Sequence, residues 1–228
     1  MEATINRKRK IDELHRGNAL YLFAGPKRRS EIGAGLRKSG WHVNEVDILR
    51  GGKRHDLTRP EVQARYLADV EAGVYDALFT SPPCDTFSRV KFSNNFGPRP
   101  TRTAKYLRGC LGLTWVETHR NELANTLVDF NYKIMLKHVV HDETILVLEF
   151  PEDLGAITAG DWKGTRPASI FQWQQFEELL QADGVVTAGI RQSDFGTPYV
   201  KPTRLIFRFP GTEETLPSLF LGPPSFDD

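Results

Sequence analysis

Cysteine is nearly absent: the 228-residue chain holds two, Cys84 and Cys110. Two thiols cannot build a disulfide framework, and such scarcity fits a reducing, intracellular setting. Long apolar runs are missing too, and none approaches the roughly 20 residues that span a bilayer. The six histidines are scattered; His138 and His141 lie three apart, but no cysteine or carboxylate cluster accompanies them, so no metal site is expected. Net charge is only +1, so the chain as a whole is not a generic polyanion binder. Internal repeats and low-complexity tracts are also lacking. At the N-terminus, Arg7-Lys8-Arg9-Lys10 has no apolar segment behind it, so a secretory signal is not expected. That cluster reads either as a nuclear-import or phosphate-contacting patch or as an ordinary basic arm.

What is present is a composition able to bury one large core, with 39% hydrophobic and 26% charged residues. Residues 1–17 read as a polar basic arm, 18–210 as one domain, and 211–228 as an irregular tail. Apolar runs predict strands at 19–23, 43–48, 75–80, 144–148, 185–190 and 204–209. Helical periodicity predicts helices at 28–39, 58–72, 121–138 and 169–181, the second opened by a capping box of Thr58 and Glu61. Strands alternating with helices imply an α/β fold with a mostly parallel sheet. The last two strands are joined by a loop too short for a helical crossover, so they are expected to run antiparallel.

The stretch most loaded with chemistry is Ser81-Pro82-Pro83-Cys84-Asp85-Thr86-Phe87-Ser88. It follows a predicted strand, and two prolines stiffen the turn and withhold their N–H groups. A thiol is thereby presented at a strand's C-terminal edge, where open α/β sheets bind ligands. Glu149 ends a later predicted strand, and with Cys84 it suggests a nucleophile and its acid, the alternative being a buried structural cysteine in a turn. Immediately downstream, residues 89–108 carry Arg89, Lys91, Arg99, Arg102, Lys105 and Arg108, with no acidic residue and with Phe92, Phe96 and Tyr106 between them. Such a segment can neutralise phosphates and stack on bases, or it can be a solvated basic loop. Trp41, Trp162 and Trp173 read as packing residues; Trp115, beside the basic stretch, is open between packing and stacking. Lys27-Arg28-Arg29 reads as a phosphate-holding helix start or a solvated one.

Taken in order, these segments resemble the cytosine-5 DNA methyltransferase family over most of residues 19–209. Leu22-Phe23-Ala24-Gly25-Pro26 is similar to the strand and glycine turn that pass beneath S-adenosylmethionine. Val43-Asn44-Glu45-Val46-Asp47-Ile48 is similar to the segment whose acidic residue bonds the ribose, and His55-Asp56-Leu57 to the one whose aspartate meets the adenine amine. Ser81-Pro82-Pro83-Cys84 resembles the nucleophile turn, Leu148-Glu149-Phe150-Pro151 the segment whose glutamate bonds the cytosine ring nitrogen, and Asp194-Phe195-Gly196-Thr197-Pro198 with Arg204 the segment placing an arginine at the site. The resemblance implies a Rossmann-like methyltransferase fold and DNA as partner. It implies Cys84, Glu149 and Arg204 as catalytic residues, and Phe23, Ala24, Gly25, Glu45, Asp47, Asp56, Leu57 and Pro82 around the cofactor.

The chain departs from that pattern where Lys27 replaces a usual second glycine and Phe150 replaces a usual asparagine. A compact form without a separate target-recognition domain is expected, and the stretch from Cys84 to Glu149 is longer than usual. The surplus, about 89–120, is the expected substrate grip. Phe96-Gly97-Pro98-Arg99-Pro100, with the segment from Glu149 to Leu154, also resembles methyltransferase-like frames of tyrosine-recombinase retrotransposons. Two other readings remain: an exocyclic-amine methyltransferase built on Ser81-Pro82-Pro83, and a non-catalytic nucleic-acid-binding module on a decayed methyltransferase fold.

Overall fold

The computed structural model describes residues 16–28, 31–93 and 96–210. The Arg7–Lys10 cluster and the tail from 211 lie outside the described residues. Among the described residues six strands form one sheet: β1 (Gly17–Leu22), β2 (Trp41–Val46), β3 (Ala77–Thr80), β4 (Ile145–Pro151), β5 (Val186–Arg191) and β6 (Pro202–Arg208). Their order is β2-β1-β3-β4-β6-β5. The β1–β2, β1–β3 and β3–β4 pairs are parallel, whereas β6 runs antiparallel to both β4 and β5. The protein is thus α/β with a mostly parallel mixed sheet, and β6 is the reversed strand.

Among the described residues five α-helical segments accompany the sheet: α1 (Ile32–Lys38), the single turn α2 (Ile48–Gly51), α3 (Pro60–Glu71), α4 (Trp115–Val139) and α5 (Gln174–Leu180). Strand alternation sends Leu20, Leu22, Val46, Leu78, Leu146, Leu148 and Ile206 to one face, where all are fully buried. Against them lie Val62, Tyr66 and Val70 of α3 and Val128, Ile134 and Met135 of α4. Each such aliphatic or aromatic side chain contributes roughly 1.5–3 kcal/mol by leaving water. α4 also grips the sheet through polar contacts. The Thr80 hydroxyl at the end of β3 donates to Asn131, and both groups are buried. On the other face, α1 packs on β2 so closely that a Cβ at Gly33 would lie 1.9 Å from the Glu45 carboxylate.

Several expected boundaries shift for identifiable reasons. The Thr58–Glu61 capping box does not form: the Thr58 hydroxyl donates to Asp56 Oδ1 (2.6 Å), and Glu61 pairs with Arg59. The capping box is found instead at Thr114 and Glu117, so α4 starts six residues before the predicted Asn121. Its first turns carry exposed Trp115 and Val116, so apolar periodicity does not register them. The helix predicted over 169–181 is broken at Trp173, whose φ −87° and ψ 127° are extended, into a 3₁₀ turn and α5. β2 lies two residues upstream of its predicted position, which leaves Asp47 beyond the strand as the N-cap of α2.

Candidate active site

The Pro-Cys turn leaves the C-terminal end of β3 with Pro82 buried and Cys84 half-buried. Cys84 has φ −108° and ψ 5°, in the bridge region, and its carbonyl accepts from Phe87 N–H (3.0 Å) to open a 3₁₀ turn. Behind the turn, the Phe87 ring meets Phe150 edge-on at 5.4 Å. The Arg102 guanidinium covers the Phe87 ring at 4.3 Å and donates to Thr86 Oγ1 (3.0 Å). Arg102 also donates to Asn125 Oδ1 (2.7 Å) and to the carbonyls of Leu107 (2.8 Å) and Asn121 (2.9 Å). It is therefore a rivet between the cysteine turn, its own loop and α4.

Glu149 stands on β4, adjacent to β3 in the sheet. One carboxylate oxygen accepts from the Ser81 hydroxyl (2.9 Å); the other accepts from Lys201 Nζ (2.9 Å) and Gln192 Nε2 (3.3 Å). Three side chains from two connections thus orient one acid. Burial pushes the Cys84 thiol above its ordinary pKa; Lys201 opposes that shift and Glu149 adds to it. At rest the residue is a thiol, and the ammonium of Lys201 is the group that favours its ionisation. Cys84, Arg89, Phe92, Glu152, Leu154 and Lys201 are among the residues that line a cleft of about 710 Å³, within the usual range of about 300–1,000 Å³ for small-ligand sites.

Arg204 does not join this group. In the β4–β6 register Phe150 lies opposite Arg204 while Glu149 lies opposite Leu205, so alternation turns Arg204 away from Glu149. Its guanidinium forms a two-pronged pair with Glu152 at 2.8 Å. The cation at the site is Lys201, three residues earlier, and Gln192 is a further donor that sequence reading missed. The residues between β5 and β6 bring both to Glu149. Their polar types are legible in the sequence, but their placement depends on a strand register that is not.

At the other half of the same sheet edge, Phe23, Ala24 and Gly25 turn out of β1. Phe23 (φ 58°) and Gly25 (φ 66°) are both left-handed, an unfavourable conformation for phenylalanine. Asp47 accepts from Gly25 N–H through one oxygen (2.9 Å) and from Leu49 N–H through the other (2.8 Å). The glycine turn and the carboxylate beyond β2 are therefore joined. Glu45, expected at the ribose, is committed elsewhere: its carboxylate pairs with Arg37 (3.0 Å) and Arg50 (2.8 Å) beneath α1. Arg50 also pairs with Glu31 (2.8 Å) and donates to the carbonyls of Gly25 (2.6 Å) and Ala24 (3.1 Å). Asp56 accepts from Thr58 N–H (3.0 Å) as well as its hydroxyl, closing the turn before α3, and Leu57 is buried in the core. Of the expected cofactor residues, Phe23, Ala24, Gly25 and Asp47 thus come together at one edge. Asp47 keeps lone pairs beyond its two backbone bonds, Asp56 accepts both of its bonds on Oδ1, Glu45 is held by two guanidiniums and Leu57 lies in the core.

The basic segment is not without acids once folded, because α4 supplies them. Arg99 makes two bonds to Glu117 (2.8 and 2.6 Å), and Arg108 makes two to Asp129 (2.9 and 2.7 Å) while covering the Trp173 ring. Arg102, only 1% exposed, has its pKa lowered to about 10 by burial and cannot meet a phosphate. Arg89 donates to the carbonyls of Gly155 (2.7 Å) and Ala156 (3.1 Å), fastening one wall of the cleft. Lys105 is exposed beside the Tyr106 ring, and Lys91 is half-buried. The expected uniform phosphate grip is thereby reduced: two cations are neutralised by acids, one is buried, and one holds backbone.

Among the described residues there is no group of three or more histidine, cysteine, aspartate or glutamate side chains able to hold a metal ion. No helix among them is long and apolar enough to cross a membrane. No protein-family model matches the chain, and no curated protein matches it.

Proposed function

We propose that this chain is an S-adenosylmethionine-dependent methyltransferase of a nucleic-acid base, with cytosine C5 of DNA as target and an intracellular setting. One observation carries the reading: a thiol and an oriented carboxylate, Cys84 and Glu149, share the C-terminal edge of adjacent parallel strands, with Cys84 lining a cleft of about 710 Å³. The strand order with β6 reversed between β4 and β5 is compatible with a Rossmann-like methyltransferase sheet. In this reading the Cys84 thiol loses its proton to solvent and the thiolate adds to C6 of the ring, moving the electron pair onto C5, while ring N3 takes up a solvent proton that Glu149, with Lys201 beside it, holds in place. Once C5 carries the methyl group, a water takes the C5 proton, the C5–C6 double bond re-forms, the thiolate leaves and N3 gives up its proton. The cofactor, when bound, supplies the electrophilic methyl group. Phe23, Ala24, Gly25, Asp47 and Pro82 are the residues assigned to hold it. A base reaches Cys84 only after leaving its stack.

The test is methyl transfer from labelled cofactor to mixed nucleic acids, followed by identification of the modified nucleoside. The expected product is 5-methylcytosine, and a 5-fluorocytosine substrate should trap wild-type protein, but not Cys84→Ser, as a denaturation-resistant adduct. Methylation at an exocyclic amine would overturn the Cys84 mechanism. Ser81, central to that alternative, already donates to Glu149. A second reading, the non-catalytic nucleic-acid-binding module, is favoured by Arg50 lying across the Ala24 and Gly25 carbonyls. Calorimetry separates the two, since that module would leave the cofactor unbound at millimolar concentration.

A further inference from the structure

The N-terminal end of α4 projects an aromatic surface that the core does not use. Asn121 is the first buried residue of the helix, and Trp115 before it is 79% exposed. A lone exposed apolar residue needs no explanation, whereas a contiguous exposed surface marks a place another molecule covers. The indole of Trp115 lies on the imidazole of His119, with centroids 5.5 Å apart and planes within 5° of parallel. Its base is rigid. Thr114 and Glu117 cap the helix reciprocally, Arg99 clamps Glu117, and Asn121 exchanges bonds with Thr101 (2.9 and 3.1 Å). A fixed aromatic plane loses little freedom when a second plane stacks on it.

Charge identifies the ligand. Arg120 follows His119, and burial first, then Arg120 and Arg102, lower the pKa of Lys91, while Asp85 and Glu117 oppose them. Among the described residues neither Lys91 nor Arg120 forms an ion pair. Lys91 belongs to the 3₁₀ turn Arg89–Phe92, whose Arg89, Val90 and Phe92 line the cleft at Cys84. The surface thus runs from the cleft, across two cations, to an exposed stacked ring pair. A polyanion carrying planar faces matches it. In a duplex both faces of a base are covered by its neighbours, whereas an unpaired strand offers them.

We propose that Trp115, backed by His119, is a stacking platform for an unpaired base of a single-stranded nucleic acid whose phosphates lie at Arg120 and Lys91. This rests on the nucleic-acid reading of the Cys84 site and narrows its substrate to single strands. The test is fluorescence anisotropy with a labelled single-stranded oligonucleotide and its duplex, using wild type, Trp115→Ala and Trp115→Phe. Wild type should prefer the single strand. Trp115→Ala should weaken single-strand binding roughly 5- to 100-fold and leave duplex binding unchanged, and Trp115→Phe should retain most of the affinity. Because the side chain is exposed, the variants should melt with wild type. Unchanged single-strand binding by Trp115→Ala, or an equal loss for the duplex, overturns the platform while leaving the nucleic-acid reading intact. Failure of wild type to bind any nucleic acid overturns both. Sedimentation showing a wild-type dimer that Trp115→Ala disperses would assign the surface to a second copy and also overturn the proposal.

Discussion

Two carboxylates on neighbouring parts of one sheet, Glu149 and Glu45, meet opposite fates. Glu149 accepts from a hydroxyl, an amide and one ammonium, and is open to the Cys84 side of the sheet edge. Glu45 is held under α1 by two guanidiniums. The first arrangement holds a carboxylate through one hydroxyl, one amide and one lysine. The second fixes a charge that stabilises only while both partners stay, because a half-dismantled buried ion pair is worse than none. The same residue type is held by neutral donors and one lysine in one half of the sheet edge and locked between two arginines in the other.

The comparison breaks most visibly in the cysteine half. Cys84→Ser should remove methyl transfer, and Glu149→Gln should slow it by about 10²–10⁴-fold, with melting temperatures near wild type in both. A large loss of stability in either would make that half architecture too. Arg102→Leu should act in the opposite sense. It leaves Asn125 and the carbonyls of Leu107 and Asn121 without their donor, and should lower stability by on the order of 2–4 kcal/mol in urea unfolding.

His138 supplies a pH control distant from either half. It is fully buried, and the Nε2–H of its neutral ring donates to the Ile145 carbonyl (2.9 Å) at the start of β4. Burial lowers its pKa to about 4. A histidine harder to protonate when folded leaves stability intact above its unfolded pKa of about 6.5 and removes it as pH falls towards the folded value. Up to about 3 kcal/mol should therefore be lost between about pH 6.5 and 4, and His138→Gln should flatten that dependence. The smallest expected effect sharpens the cofactor half. Asp47→Asn should weaken cofactor binding by about 1.5–3 kcal/mol in calorimetry, whereas Glu45→Gln should chiefly lower stability. Equal loss of binding in both would return Glu45 to the ribose.

Much of this organisation is legible in the chain itself. The strand runs, the Pro-Cys turn at a strand end and the reversed final strand follow from apolar runs, proline chemistry and a short connection. What escapes depends on distance along the chain. Arg204 and Lys201 are both cations after the same loop, and only the β4–β6 register shows which reaches Glu149. Arg102 looks like its basic neighbours until Asn121 and Asn125 arrive from a helix whose exposed first turns hid its start. The Thr114-to-Glu117 spacing was the available signal for that start.

Arg102 has one more consequence, which concerns the order in which parts of the molecule melt. The turn bearing Cys84 lies outside the sheet's ladders, and its shape is borrowed from α4 through one guanidinium. Regions with few ladder bonds open locally before a protein unfolds as a whole. Warming should accordingly release the amides of the Cys84 turn and the 100–110 segment to hydrogen exchange while those of β1, β3 and β4 stay protected. Chemical competence and the integrity of the sheet are then separate transitions, and the temperature interval between them is set by how firmly one buried arginine holds.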